Sequence, residues 1–208
     1  MTRRAEVCAV LLSVALALTA CSPRPTLPTS ALTPLESQAP VPGVAELVAQ
    51  RKAAGLPDCP ASSELPAVAG GLPDVTLRCL GGDTEVRLGG LRGPLIVNFW
   101  AQWCAPCRLE SPHLREFHQL SAGKVQVLGI DANDPRPELA IEFASLVGWT
   151  YVHLQDPDRS SMTPLGYGSI PISLFIDGEG KIVYRQIGAF GSTQQMRDLT
   201  ARYLGVTV

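Results

Sequence analysis

The chain has 208 residues, of which 46% are hydrophobic and 17% charged, and its formal net charge is −2 at pH 7. This length is enough for one domain with a sizeable core plus additional segments. The nearly balanced charge, with no lysine and arginine cluster in the body of the chain, argues against a nucleic-acid-binding protein. Six cysteines are too few at this length to indicate a disulfide-dense mini-protein.

The chain begins with the pattern of a secretion signal. Arg3 and Arg4 supply positive charge, and an uncharged, mostly apolar run follows at residues 7–20. That run is shorter than the ~20 residues that a membrane-spanning helix needs, so a signal peptide is favoured. The sequence Leu-Thr-Ala-Cys at 18–21 resembles the bacterial lipobox and predicts lipid attachment at Cys21. An ordinary secretory signal with a nearby cysteine is the alternative.

Residues 22–57 contain seven prolines and few large apolar side chains. Such a segment cannot bury enough surface to offset its chain entropy, so the composition predicts a semi-extended tether. One interruption, residues 44–55, has the composition of a short helix that ends at Gly55. A tether of this kind would give a folded domain reach above the membrane.

From about Cys59 the sequence becomes typical of a globular domain. Residues 75–80 and 84–88, separated by two glycines, predict a hairpin. The apolar run 94–101 predicts a buried central strand. A helical pattern then runs from Cys104 to about residue 120, and four residues are expected on its inner face: Leu109, Leu114, Phe117 and Leu120.

Strands and helices alternate in the rest of the domain. Further strands are predicted at 125–132, 151–154, 172–176 and 181–187, and further helices at 137–148 and 192–205. A four-residue hairpin loop at 177–180 joins the last two strands. This order predicts a mixed α/β sheet with helices on both faces.

The sequence Cys104-Ala105-Pro106-Cys107 has four chemical interpretations. Covalent haem attachment requires a histidine after the second cysteine, and Arg108 stands there. A structural zinc site is disfavoured because it needs four ligands and no second close pair is present. A structural staple is also disfavoured, since so short a loop removes little unfolded-state entropy. The fourth interpretation is a redox-active pair.

The position of the pair between a strand and a helix favours the redox interpretation. Cys104 would lie at the helix N-terminus, where unpaired N–H groups and the helix dipole lower a thiol pKa. Cys107 lies one turn later on the same face, within reach of a reversible disulfide. The predicted mechanism is attack of Cys104 on a substrate disulfide, followed by resolution of the mixed disulfide by Cys107.

With its flanks, this motif resembles the thioredoxin superfamily. The sequence Asn-Phe-Trp-Ala-Gln-Trp-Cys-x-x-Cys-Arg-x-Glu-x-Pro at 98–112 is similar to that of the TlpA/ResA-like disulfide reductases, its extracytoplasmic, membrane-tethered branch. The resemblance covers about residues 72–208 and implies a thioredoxin fold, a mixed central β-sheet flanked by helices, here with an N-terminal hairpin extension. The chain is accordingly divided into a lipoprotein signal peptide (1–20), a proline-rich tether (21–57) and a thioredoxin-like domain (58–208).

The resemblance also implies a substrate-binding surface around the two cysteines. The family has a cis-proline loop that faces the disulfide, and Ile170-Pro171 before a strand matches it. We therefore expect a cis peptide bond before Pro171, with the backbone of Ile170 available to substrate. Trp103, Ala105 and Pro106 complete the predicted substrate-binding set.

Two departures from cytosolic thioredoxin concern proton transfer. Asn98 stands where that protein has a buried aspartate, so that proton acceptor is missing here. Glu110, one turn after Cys107, resembles the acidic residue that reductases of this branch place near the resolving cysteine. A partly buried carboxylate there is predicted to accept the proton of Cys107. The alternative is an exposed glutamate favoured by the helix dipole.

Cys59 and Cys79 are predicted to form a structural disulfide, because the signal implies an oxidising compartment. The bond would tie the N-terminal segment to the first hairpin. A second redox pair is the alternative, but neither cysteine has the close partner or the helix-start context of Cys104.

The predicted function is thiol–disulfide exchange by an extracytoplasmic protein that is lipid-anchored to a bacterial cell membrane. The resemblance implies reduction of protein disulfides, with apocytochrome c as a candidate substrate in cytochrome c maturation and an integral-membrane dithiol as electron donor. Neither a metal nor a bound cofactor is expected, since the two sulfurs carry both electrons. The alternatives are a DsbE/DsbF-like oxidant of secreted proteins, a non-enzymatic binding lipoprotein and a peroxidase. Ala101 disfavours the peroxidase, because peroxiredoxins have a hydroxyl residue at that position.

Overall fold

The computed structural model describes residues 40–208, which contain four α-helices and seven β-strands. In chain order these are α1 (Val44–Ala53), β1 (Thr76–Cys79), β2 (Glu85–Arg87), β3 (Leu95–Trp100), α2 (Ala105–Ser121), β4 (Gln126–Ala132), α3 (Pro137–Leu146), β5 (Val152–Asp156), β6 (Ile172–Ile176), β7 (Ile182–Ile187) and α4 (Thr193–Leu204). Every predicted strand and helix is present, with ends that differ by two residues or fewer. The predicted signal peptide, Cys21 and the first part of the predicted tether lie outside the described residues.

All seven strands form one mixed sheet in the order β2-β1-β5-β4-β3-β6-β7. Strands β3, β4 and β5 are parallel to one another, and the remaining neighbours pair antiparallel. The predicted hairpin of β1 and β2 extends the sheet at one edge by pairing with β5. The central strand β3 is buried along its whole length, as its apolar sequence predicts.

The buried hydrophobic residues of the four helices all belong to one cluster on one side of the sheet. Side chains alternate between the two faces of a strand. On β3, Ile96 and Trp100 join a buried cluster that includes residues from every helix, whereas Leu95 and Val97 join a cluster that includes none. The expectation of helices on both faces is therefore wrong. Helix α2 connects β3 to its neighbour β4, and α3 connects β4 to its neighbour β5, so both connections move in the same direction across the sheet. Because such connections between parallel strands are right-handed, both helices lie on the same face.

Helix α1 packs on the domain, although the predicted tether extends to residue 57. Leu47 and Leu56 are buried in the helix-side cluster, and the Arg51 Nη1 donates to the Pro57 carbonyl at 2.9 Å. The helix itself was predicted, but its packing was not. Leu47 of α1 and Leu56 just after it supply the apolar surface that docks this segment, although its high proline content predicts a linker. The folded body therefore includes residues that were assigned to the tether.

The inner face of α2 differs from the predicted one. Leu114 and Phe117 are fully buried, but Leu109 is 75% and Leu120 49% exposed. Leu109 follows Cys107 by two residues, which is more than half a turn around a helix. The buried face therefore begins at Cys107, and it consists of Cys107, Glu110, Ser111, Leu114, Phe117 and Ser121.

The predicted disulfide between Cys59 and Cys79 is present, with Cα atoms 5.8 Å apart. Cys79 ends β1 and is almost completely buried, and Arg51 Nη1 lies 3.3 Å from its sulfur. The bond joins the irregular segment after α1 to the hairpin and contributes to the cluster on the face opposite the helices. It encloses a loop with a sequence separation of 20.

We expect the double substitution Cys59→Ala/Cys79→Ala to lower the free energy of unfolding by about 3 kcal/mol, because opening this loop increases the entropy of the unfolded chain. Urea denaturation of the oxidised protein measures the loss. Each single substitution should cost about as much as the double one, since either alone opens the loop. Disulfide exchange at 25 °C should persist. Loss of exchange without loss of stability would instead identify the pair as a second redox centre.

Candidate active site

The two cysteines of the predicted redox pair lie where β3 meets α2. Strand β3 ends at Trp100, and Cys104 is the N-cap residue of α2. Its sulfur accepts a hydrogen bond from the backbone N–H of Cys107 at 3.3 Å. The two residues form a disulfide with Cα atoms 5.3 Å apart. A sulfur in this position lies at the positive end of the helix dipole, which stabilises the thiolate once the disulfide is reduced.

Exposure distinguishes the two cysteine residues. Cys107 has no exposed surface, while Cys104 retains 3% exposure. Trp103, Ala105 and Pro106 surround Cys104 on the outer surface and are exposed. An incoming substrate would therefore meet Cys104 first, which agrees with the predicted roles of nucleophile and resolving cysteine.

The predicted cis-proline loop lies beside this surface. The peptide bond between Ile170 and Pro171 is cis, as the resemblance implies. Pairing of Phe99 in β3 with Ile172 in β6 places the loop at the end of β3 that leads to the cysteines. Ile170 and Trp103 line the same groove, whose volume is about 240 Å³. The structure thus brings the two predicted substrate-binding segments together.

Glu110 is completely buried, which excludes the alternative of an exposed helix glutamate. Its Oε1 accepts a hydrogen bond from Asn98 Nδ2 at 2.9 Å, and its Oε2 accepts one from the Phe190 N–H at 3.0 Å. Burial raises the pKa of Glu110 to about 7, although the bonds from Phe190 and Asn98 oppose this rise. The carboxyl group can therefore exchange a proton near neutral pH, as the predicted role requires.

Two contacts of Glu110 were not found from the sequence. Asn98 was noted for the aspartate that it replaces, but its amide donates to Glu110 and to the Ser173 hydroxyl, at 2.9 and 3.0 Å. Phe190 follows β7, 80 positions after Glu110, and only its backbone takes part. A backbone donor so distant in the chain leaves no signal in a residue pattern. Asn98 could have been recognised, because an amide in the middle of an apolar central strand is expected to need a buried hydrogen-bond partner.

The histidines and acidic residues of the described range are dispersed rather than clustered. Within residues 40–208, no group of three or more His, Cys, Asp or Glu is arranged to hold a metal ion. His153 is fully buried, with its ring stacked on Trp149 at 5.2 Å, and burial lowers its pKa to about 3. This histidine is a packing residue of the aromatic cluster.

None of the helices in this range is long and apolar enough to cross a membrane.

Comparison with known proteins identifies relatives of the same kind. The model of the AhpC/TSA family matches residues 68–185. The thiol:disulfide interchange protein HelX of Rhodobacter capsulatus is 34% identical over 122 residues, which are 56% of this chain and 65% of that protein. The DsbE homologue of Paracoccus denitrificans is 36% identical over 135 residues, covering 64% of this chain and 70% of that one. The chain thus covers slightly less than two thirds of HelX.

Solved structures give the same fold. A secreted thiol-disulfide isomerase from Corynebacterium glutamicum superposes with a TM-score of 0.56 at 27% identity, covering 65% of this chain and 86% of that one. A secreted disulfide oxidoreductase of Mycobacterium tuberculosis superposes with a TM-score of 0.55 at 21% identity, covering 62% and 96%. The predicted thioredoxin fold, with a mixed sheet flanked by helices, is confirmed. The predicted resemblance to thiol–disulfide oxidoreductases agrees with the names of these relatives.

Proposed function

Because the chain belongs to the AhpC/TSA family, we propose that it is an extracytoplasmic thiol–disulfide oxidoreductase that reduces disulfides in other proteins. The arrangement around α2 carries the assignment of thiol–disulfide exchange, and the resemblance of the motif to the TlpA/ResA-like reductases carries its direction. A disulfide caps the helix through Cys104, and a fully buried carboxyl group follows the inner cysteine by one turn. A non-enzymatic binding protein would have no use for a reactive sulfur at a helix N-terminus beside a titrating carboxyl group.

The reduced protein begins the reaction with Cys104 as a thiolate. This thiolate forms a bond to one sulfur of the substrate disulfide, and the second substrate sulfur leaves as a thiolate. Cys107 then gives its proton to Glu110 and attacks the Cys104 sulfur. The first substrate sulfur leaves, so the substrate gains two electrons and the Cys104–Cys107 disulfide forms. No bound cofactor is required, since the two sulfurs carry both electrons.

The proposed location and partners follow from the N-terminal sequence and the branch that the motif resembles. We propose a lipid anchor at Cys21 that holds the domain outside the cell membrane. Disulfide-containing proteins would be its substrates, with apocytochrome c as the specific candidate. An integral-membrane dithiol would return the electrons. Two structural relatives described as secreted support the extracytoplasmic placement.

One observation favours the reverse direction, oxidation of secreted proteins. The backbone N–H of Cys107 donates to the Cys104 sulfur, and stabilising a Cys104 thiolate in this way stabilises the reduced form. A more stable reduced form makes the disulfide a stronger oxidant.

A peroxidase is disfavoured, because Ala101, three residues before Cys104, is fully buried and has no hydroxyl group.

We expect the reduction potential of the Cys104–Cys107 pair to lie below about −200 mV, nearer to the value of about −270 mV for thioredoxin than to about −120 mV for DsbA. Equilibration with glutathione or dithiothreitol buffers, followed by alkylation of free thiols, measures it. The Cys59→Ala/Cys79→Ala protein serves as a control, since only one disulfide then titrates. A potential near −120 mV would overturn the reductase assignment in favour of the oxidant.

A further inference from the structure

The groove beside the redox pair contains a single charged side chain. Trp103, Ile170, Asn133 and Arg159 are among the residues that line it. Arg159 belongs to the irregular connection between β5 and β6, which leads directly into the cis-proline loop. Of the residues that line the groove, only Arg159 is ionised at neutral pH. Any charge preference of this groove therefore depends on one guanidinium.

Arg159 forms no salt bridge within residues 40–208. Its Nη2 donates to the Tyr167 carbonyl at 3.0 Å. Asp158 lines a different groove, beside β1. Asp134 is buried and accepts a hydrogen bond from the Arg136 N–H. One hydrogen bond leaves several guanidinium N–H groups available to a ligand.

The backbone holds Arg159 in an unusual conformation. In the described residues, three residues other than glycine have positive φ, and two of them, Asn133 and Arg159, line this groove. The third, Ala122, is the C-cap of α2. Asparagine tolerates the left-handed region, whereas arginine is strained there. The backbone N–H groups of Met162 and Thr163 both donate to the Arg159 carbonyl and stabilise this conformation. Such strain is concentrated at binding and catalytic sites.

We propose that Arg159 makes the groove a subsite for a carboxylate side chain, so that the protein prefers disulfides with Asp or Glu within two residues of the attacked cysteine. The inference rests on the proposed function and names the substrate class of the same site. A guanidinium binds a carboxylate through two parallel hydrogen bonds, which a lysine cannot match. The half-buried position of Arg159 reduces the solvent screening that weakens exposed ion pairs.

Matched synthetic peptides test this inference. Each peptide has one intramolecular disulfide, and Glu, Gln or Lys occupies one of the four positions within two residues of the first cysteine. Pre-reduced protein is mixed with excess peptide in single turnover, and acid-quenched samples give the second-order rate constant. The wild-type protein should reduce the Glu peptide about three- to tenfold faster than the Gln peptide at one or more positions, and the Lys peptide more slowly still. This preference should become smaller in 0.5 M salt, because salt screens the attraction between the guanidinium and the carboxylate.

The variant Arg159→Gln should lose the preference, so that its rates for the Glu and Gln peptides agree within about twofold. The variant Arg159→Glu should reduce the Lys peptide faster than the Glu peptide. Arg185→Gln removes the same charge from the exposed edge strand β7, and it should leave the preference unchanged. Thermal denaturation of each variant verifies folding. Equal rates for all wild-type peptides, or a preference that persists in Arg159→Gln, would overturn the subsite. If the wild-type protein reduced no peptide at all, the proposed function itself would fail.

Discussion

Replacing Cys104 with serine is expected to lower the rate of protein-disulfide reduction by at least about 10³-fold. A serine hydroxyl does not ionise near neutral pH, so the nucleophile is removed while the helix cap is kept. Cys107 cannot substitute for it, because this sulfur has no exposed surface. The measurement is reduction of insulin disulfides by stoichiometric, pre-reduced protein, followed by alkylation of the new thiols.

Cys107→Ser is the matched control for this substitution. It retains the nucleophile, so it should perform the first attack and then accumulate a mixed disulfide, because no second thiol resolves it. Mass spectrometry of the mixed disulfides trapped in cells identifies the substrates. If no apocytochrome c is among them, the cytochrome c proposal is contradicted. If Cys104→Ser reduced insulin as fast as the wild-type protein, thiol–disulfide exchange at this pair would be excluded.

Replacing Glu110 with glutamine is expected to slow resolution of the mixed disulfide by about 10²-fold at pH 7. The carboxyl group must be ionised to accept the Cys107 proton, and its pKa of about 7 means that the wild-type rate should rise through neutral pH. In the variant this rise should move to the more alkaline range in which a thiol loses its proton without help. Stopped-flow measurement of the second step between pH 5 and 9 records both profiles.

A control variant separates this role from a general loss of negative charge. Glu142 is exposed on α3, so Glu142→Gln should have the wild-type profile. The glutamine at position 110 can be accommodated, since the Asn98 Oδ1 has no hydrogen-bond partner within the described residues and the amide can turn. A Glu110→Gln profile identical to that of the wild-type protein would exclude Glu110 as the proton acceptor.

The same substitution should change how stability depends on pH. The pKa of Glu110 is higher in the folded protein than in the unfolded chain, so the folded state binds more protons between about pH 4.5 and 7. The stability that this carboxyl group contributes is therefore fully present below pH 4.5 and is lost as pH rises through 7. The loss is about 3 kcal/mol, and Glu110→Gln should not show it. Urea denaturation of the oxidised proteins at pH 4 and 8 compares the two.

The sequence predicted features that depend on neighbouring residues. The strand, the two cysteines and the start of α2 form one continuous segment, so their arrangement follows from local propensity and helix geometry. The burial of Glu110 was predicted only in part, because its environment includes the backbone N–H of Phe190, which lies 80 positions later in the chain. The inner face of α2 was predicted wrongly at Leu109 and Leu120, since leucine positions alone do not reveal that Cys107 begins the buried face.

Other features lay beyond any local pattern. Arg159 and Asn133 adopt the left-handed conformation on two connections that are distant in sequence, and no glycine marks either position. The single-sided arrangement of helices depends on strand order, which periodicity does not supply. The docking of α1 depends on two leucines in a segment whose average composition is that of a linker. In each case the deciding contact joins residues far apart in the chain.

The helices cover one face of the sheet, and irregular chain, including the connection between β5 and β6, covers the other. The electron-carrying residues therefore lie on regular elements whose geometry tolerates little change, whereas Arg159 lies on a segment without repeating hydrogen bonds. Insertions and substitutions accumulate more easily in such segments. Evolution can thus alter the choice of substrate without rebuilding the redox chemistry, and protein engineers have the same freedom.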